Sequence, residues 1–79
     1  MKIKDLKVGK LYEVQFGYEI GVEMLTDIVV EHGPWHGPFP AASKLYRFFF
    51  LHGKNTRILE YRTFMAEECD LFNVQKEHL

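Results

Sequence analysis

Leu45-Tyr46-Arg47-Phe48-Phe49-Phe50-Leu51 is the most apolar run of the chain, and aromatic side chains dominate it. Strand geometry sends Leu45, Arg47, Phe49 and Leu51 to one face and Tyr46, Phe48 and Phe50 to the other. Both faces are therefore largely apolar and both need cover, as in a central strand or one whose outer face meets a partner. The run ends at His52-Gly53-Lys54-Asn55. Gly and Asn tolerate positive φ and mark a turn. The stretch is read as the middle strand of a small β domain, with Thr56 to Thr63 as its hairpin partner. In that partner Leu59 and Tyr61 share one face, and Ile58, Glu60 and Arg62 the other.

Working outward, Lys10 to Phe16 alternates clearly. Tyr12, Val14 and Phe16 face one way, Glu13 and Gln15 the other. Val8-Gly9-Lys10 is the turn that feeds it. Val22 to Glu31 is a second, long strand that bends near Thr26-Asp27; its Val and Ile content favours strand over helix. His32 to Pro40 carries all three prolines and two glycines. Neither a helix nor a central strand passes through such a segment, so it is an irregular loop. Thr63 to Cys69 reads as one short helical turn near residues 64–69, with Thr63 as N-cap and acidic residues following. A last strand, Leu71 to Gln75, then closes the sheet. The alternative is a helix from Phe64 to about Gln75, against which stand the weak helix formers Asp70, Asn73 and Val74.

The fold expected is mainly β: a small five-stranded antiparallel barrel or strongly bent sheet, one domain over residues 1–79. Its predicted core is Tyr12, Val14, Ile28, Val30, Phe49, Leu51, Leu59 and Leu71. Tyr46, Phe48 and Phe50 are left as an exposed face, suited to a partner or to a two-fold homodimer.

Composition bounds the function. A chain of 79 residues buries about 60–65% of its unfolded surface. Seven Phe, four Tyr and one Trp exceed what so small a centre holds, and surplus surface aromatics favour interfaces. Net charge is −1 with the signs interspersed, so electrostatic attachment to nucleic acid is not suggested. The single cysteine, Cys69, fits a reducing compartment. The start of the chain lacks the apolar segment of a signal peptide, and no run reaches the roughly 18 apolar residues of a membrane span. A cytoplasmic, membrane-free protein is expected.

The most informative local feature is a doubled unit, His32-Gly33-Pro34-Trp35 followed by His36-Gly37-Pro38-Phe39. Each pairs a His and a large aromatic with a rigid Pro. Proline stiffening lowers the ordering cost of displaying Trp35 and Phe39, and Trp is enriched at binding hot spots. The loop is read as a recognition element for a protein partner, using His32, Trp35, His36 and Phe39 together with Tyr46, Phe48 and Phe50. The competing reading has the loop fold back so that Trp35 plugs one end of the domain. A metal site on His32, His36 and His52 lacks a carboxylate or cysteine at a motif spacing, and no metal or cofactor is assigned. Cys69 with Glu67 or Glu68 makes no supported nucleophilic site, a lone cysteine being more often a small buried hydrophobe. There is no Gly-rich phosphate loop. No enzyme activity is expected. The alternative function is binding of a small nucleotide or single-stranded nucleic acid, with bases stacked on aromatics and phosphates met by Arg47, Lys54, Arg57 and Arg62.

The opening Leu6-Lys7-Val8-Gly9-Lys10-Leu11-Tyr12-Glu13-Val14, the hairpin and the turn before Leu71 together resemble the Src-homology-3-like barrel class. That resemblance implies a binding module for peptides, proteins or nucleic acid. A small chain with a Lys-rich start and surplus aromatics also looks like bacteriophage accessory proteins, which implies an inhibitor or modulator of a host protein.

Overall fold

The computed structural model describes residues 1–79. Five strands, β1 (Leu11–Phe16), β2 (Glu19–His32), β3 (Lys44–His52), β4 (Asn55–Thr63) and β5 (Val74–Glu77), form one sheet in the order β4-β3-β2-β1-β5. Every pairing is antiparallel. The mainly β, five-stranded antiparallel architecture is as the alternation predicts. The sheet stays open, however: the last strand begins at Val74 rather than Leu71 and pairs only with β1, so β4 and β5 are edges.

Both tight hairpins follow from glycine. Phe16 pairs with Glu19 across Gly17-Tyr18, and His52 with Asn55 across Gly53-Lys54. Gly17 and Gly53 have φ of +62° and +59°, while Tyr18 and Lys54 do not enter the positive-φ region. Glycine first in a two-residue loop is the type II′ pattern, whose twist matches that of the flanking strands.

The short turn expected near residues 64–69 is present as a single hydrogen-bonded turn and not as a helix. Thr63 does cap, since its Oγ1 accepts from the Met65 amide at 3.0 Å. The chain then makes a single turn, Glu68 N–H donating to Met65 C=O at 3.1 Å, and no helix follows. The tail is drawn instead to the start of the chain. Ile3 donates to Cys69 C=O at 3.0 Å, Leu71 donates to Met1 C=O at 2.8 Å, and Lys2 bridges Asp70. The one helical turn of the molecule is here, a 3₁₀ turn over Ile3–Asp5. It sets Ile3 and Leu6 on the core beside Leu71 and Val74.

The core comprises Ile3, Leu6, Tyr12, Val14, Leu25, Phe48, Phe50, Leu71 and Val74. Tyr12, Val14 and Leu71 are where periodicity predicts them, and Ile28 and Leu59 pack against this core half-buried. The phase of the aromatic strand is inverted. Phe48 and Phe50 are fully buried, Tyr46 packs beside them, and Leu51 is 38% exposed. Phe49 lies half-buried on the outer face, and Val30 is exposed. Arg47 supplies the reason. It shares a face with Phe49 and Leu51 and there reaches Glu31, to which it hydrogen-bonds, and Glu60 at 3.7 Å. Turning the strand over would bury that charge, a loss of several kcal/mol, and expose two Phe worth about 1.5–3 kcal/mol each. The Glu31 hydrogen bond raises the Arg47 guanidinium further above its already high ordinary value. In β2 the expected bend is a bulge. Leu25 pairs with Phe50 and Asp27 with Phe49, leaving Thr26 as the extra residue. Its hydroxyl donates to Phe49 C=O at 3.1 Å. The bulge shifts the inward face from Leu25 to Ile28, so no single alternation describes the whole strand.

Tyr61, opposite Tyr46, has its phenol pushed up, first by burial and then by Cys69 and Asp70. The fold thus favours the neutral phenol. Its contribution is fully present below the unfolded value, about 10, and is lost as pH rises through the higher folded value. Tyr61→Phe is therefore expected to melt with less alkaline sensitivity than the parent above about pH 10. Thermal scans of both proteins across pH 8–11.5 check this, and parallel curves would contradict it.

Candidate functional site

The segment between β2 and β3 folds onto its own closing turn. Ser43 is 3% exposed; its amide and hydroxyl both donate to Pro40 C=O, at 3.0 and 2.7 Å. That turns the Ser43 carbonyl to the indole of Trp35, whose Nε1–H donates to it at 2.9 Å. Trp35 also lies close over Gly33. A Cβ at position 33 would stand 3.2 Å from the indole nitrogen and 3.2 Å from Ala41 C=O, a tight fit that the ring or the backbone would have to relieve. Phe39 is 46% exposed, and His32 and His36 are exposed.

Arg62 of β4 joins the two aromatic halves of the repeat. Its guanidinium carbon is 4.1 Å from the Trp35 ring centroid and 3.8 Å from that of Phe39. Both distances are well inside the cation–π range. Its Nη1 is buried and has no acceptor in the chain. Arg62 pairs in register with Leu45, which is only 9% exposed although its outer-face neighbours are more open. The doubled unit is thus one ordered cluster around a cation on the outer face, with Trp35 half-buried inside and Phe39 at the surface. The spacing predicts two aromatic anchors on a stiff loop; the sequence carries no signal that Arg62 binds them together.

The other predicted residues separate. Phe48 and Phe50 are interior and present nothing to a partner, which corrects their assignment to a binding or dimer face. Tyr46 is half-buried and lines a hollow of about 300 Å³ with Lys44, Phe64 and Met65. Three of the four cations proposed for a nucleotide are already engaged within the chain. Arg47 is held by Glu31 and Glu60, and Arg57 by Glu19 at 3.3 Å and the Phe16 ring at 4.8 Å. Arg62 is held in the aromatic cluster, and Lys54 stands at a hairpin tip. His32 and His52 occupy opposite ends of the β3 ladder, paired with or next to Lys44 and Asn55. Eight residues of strand, about 26 Å, separate those ends, so the three imidazoles do not meet. No cluster of three His, Cys, Asp or Glu side chains shaped for a metal is present. Cys69 packs against the core with its Sγ 3.2 Å from Thr63 Oγ1.

A second polar locus lies between the two hairpin ends and is absent from the sequence expectations. Glu23 is 2% exposed. One carboxylate oxygen, Oε2, is 3.4 Å from His52 Nδ1, and the other, Oε1, is buried without a donor from the chain. Glu23 and His52 line a pocket of about 320 Å³ with Glu19, Ile20, Gly21 and Arg57. The available signal was the phase of Leu25, since counting back by two from it places Glu23 and Gly21 inward.

No protein-family model, no curated protein and no solved structure matches the chain. No helix is long and apolar enough to cross a membrane.

Proposed function

We propose that this chain is a non-enzymatic protein-interaction module that inhibits or modulates another protein by occupying a site on it. The contact element is the His32–Phe39 loop. The observation that carries this reading is the Arg62 cluster. It holds the loop in one shape and leaves Phe39 46% exposed on it. An ordered loop gives up little conformational freedom on binding, which is the benefit of preorganisation. Arg62 alternates with Glu60 and Ile58 on β4, so the cluster sits on the same side of the sheet as the exposed Val29, Leu51 and Ile58. That side extends the contact beyond the loop. A two-fold dimer of this chain would use this side or an open sheet edge, because the Phe48 and Phe50 side is filled.

Phe39→Ala is the test. The ring is half open to solvent, so folding should change by less than about 1 kcal/mol, the size of an exposed cation–π contact. Partner affinity should fall at least about tenfold, or about 1.4 kcal/mol. Affinity capture from the native host, quantified by mass spectrometry, compares the parent, Phe39→Ala and a control, Phe72→Ala. Phe72 is 80% exposed and lies outside the loop. A partner retained by the parent and the control but lost by Phe39→Ala supports the reading. Equal capture by all three overturns it.

A further inference from the structure

The geometry points to the Glu23 pocket as a binding site for a cationic N–H donor group, a guanidinium or ammonium, independently of the loop. Glu23 is a buried carboxylate whose chain partners leave one oxygen without a donor. An unmet buried acceptor is costly, and more so when charged. A merely structural carboxylate here would take Arg57, which lines the same pocket. Arg57 is instead drawn to Glu19 at 3.3 Å and lies over the Phe16 ring.

The space has a second cause. Position 21 faces inward opposite Val14 and carries no side chain. A Cβ there would stand 3.6 Å from Glu23 Oε2, an ordinary contact distance. An alanine methyl at this position would therefore occupy room beside the carboxylate without clashing. The pocket, about 320 Å³, takes a small group but not a large ring system. Two carboxylates, Glu19 and Glu23, and one guanidinium, Arg57, line it, so the formal balance of these three is negative. A ligand offering both positive charge and N–H donors suits a pocket walled by this carboxylate, whose Oε2 lies beside His52 and position 21, and a charge-assisted hydrogen bond to a buried carboxylate is among the stronger kinds. The group is either a free small cation or the tip of an arginine or lysine from a bound protein.

The experiment titrates methylguanidinium and methylammonium chloride into the full chain at constant ionic strength, followed by amide proton–nitrogen correlation spectra. Tetramethylammonium, which has the charge but no N–H, is the control. Saturable shifts centred on Gly21, Glu23 and His52 are expected, with a dissociation constant of about 1–10 mM for so small a ligand. Glu23→Gln should weaken binding at least about tenfold. Gly21→Ala should weaken it several-fold, through lost space alone. Unchanged spectra elsewhere show that both variants fold. A capped arginine amide binding at least about tenfold more tightly than methylguanidinium assigns the site to a partner's side chain; equal affinity assigns it to a free cation. No saturable shift at these amides, equal shifts with tetramethylammonium, or unaltered affinity in both variants would overturn the site. None of these outcomes bears on the loop, which Phe39→Ala reads separately.

Discussion

Replacing Phe48 with alanine is expected to destabilise the fold by about 3–5 kcal/mol, the usual range for a fully buried Phe. The ring has no solvent exposure and belongs to the central cluster with Phe50 and Leu25. A domain of this size has roughly 4–12 kcal/mol in total. The variant should therefore lose a quarter or more of its stability, and at the lower end of that range a substantial fraction would be unfolded at room temperature. Phe48→Glu adds an unpaired buried charge and should not fold. The contrast lies one residue away in phase. Leu51 faces outward and is 38% exposed, so Leu51→Ala should cost no more than about 1 kcal/mol. Urea denaturation of the parent, Phe48→Ala and Leu51→Ala measures this as midpoint shifts at unchanged slope. A folded, soluble Phe48→Glu protein would return the aromatic face to the surface, and with it the dimer reading.

Trp35→Ala carries the second large effect. The indole donates to Ser43 C=O, stacks on Arg62 and covers Gly33. A net hydrogen bond contributes about 1 kcal/mol, and a partly desolvated cation–π contact about 1–2 kcal/mol. Losing both should cost about 2–3 kcal/mol, or some 8–20 °C in melting temperature for a domain this small. Trp35→Phe keeps a ring for Arg62 and loses only the N–H, so about 1 kcal/mol is expected. A double-mutant cycle between Trp35→Ala and Arg62→Ala should show coupling of about 0.5–2 kcal/mol. Additive single effects would mean that the ring and the guanidinium do not support each other. Recognition and plugging are then not exclusive: Trp35 secures the loop, and Phe39 is the exposed side chain that the proposed reading offers to a partner. A Trp35→Ala protein that melts like the parent would remove the structural role.

Five strands, their order along the chain, the hairpin turn at His52-Gly53-Lys54-Asn55 and the irregular 32–40 segment are all legible in the sequence. Each rests on local physics: alternation, the missing Cβ of glycine, and the missing N–H of proline. The inward face of β1 is legible too, because Glu13 and Gln15 mark its other side. The phase of β3 is not legible in the same way. Its two faces are both apolar, and alternation defines the two sets without saying which is inside. Arg47 hints at the answer, but Glu31 and Glu60 become its partners only when β2 and β4 flank it. The Thr26 bulge lies in pairing register, which a single strand does not carry. The open edges and the 3₁₀ turn depend on where the tail docks, since Ile3 and Leu71 gain their hydrogen bonds from residues about 70 positions away. Both candidate sites have the same origin. Arg62 meets Trp35 and Phe39, and Glu23 meets His52, across strands that only the folded sheet sets side by side. The residue types were visible throughout, but their proximity is a property of the tertiary structure.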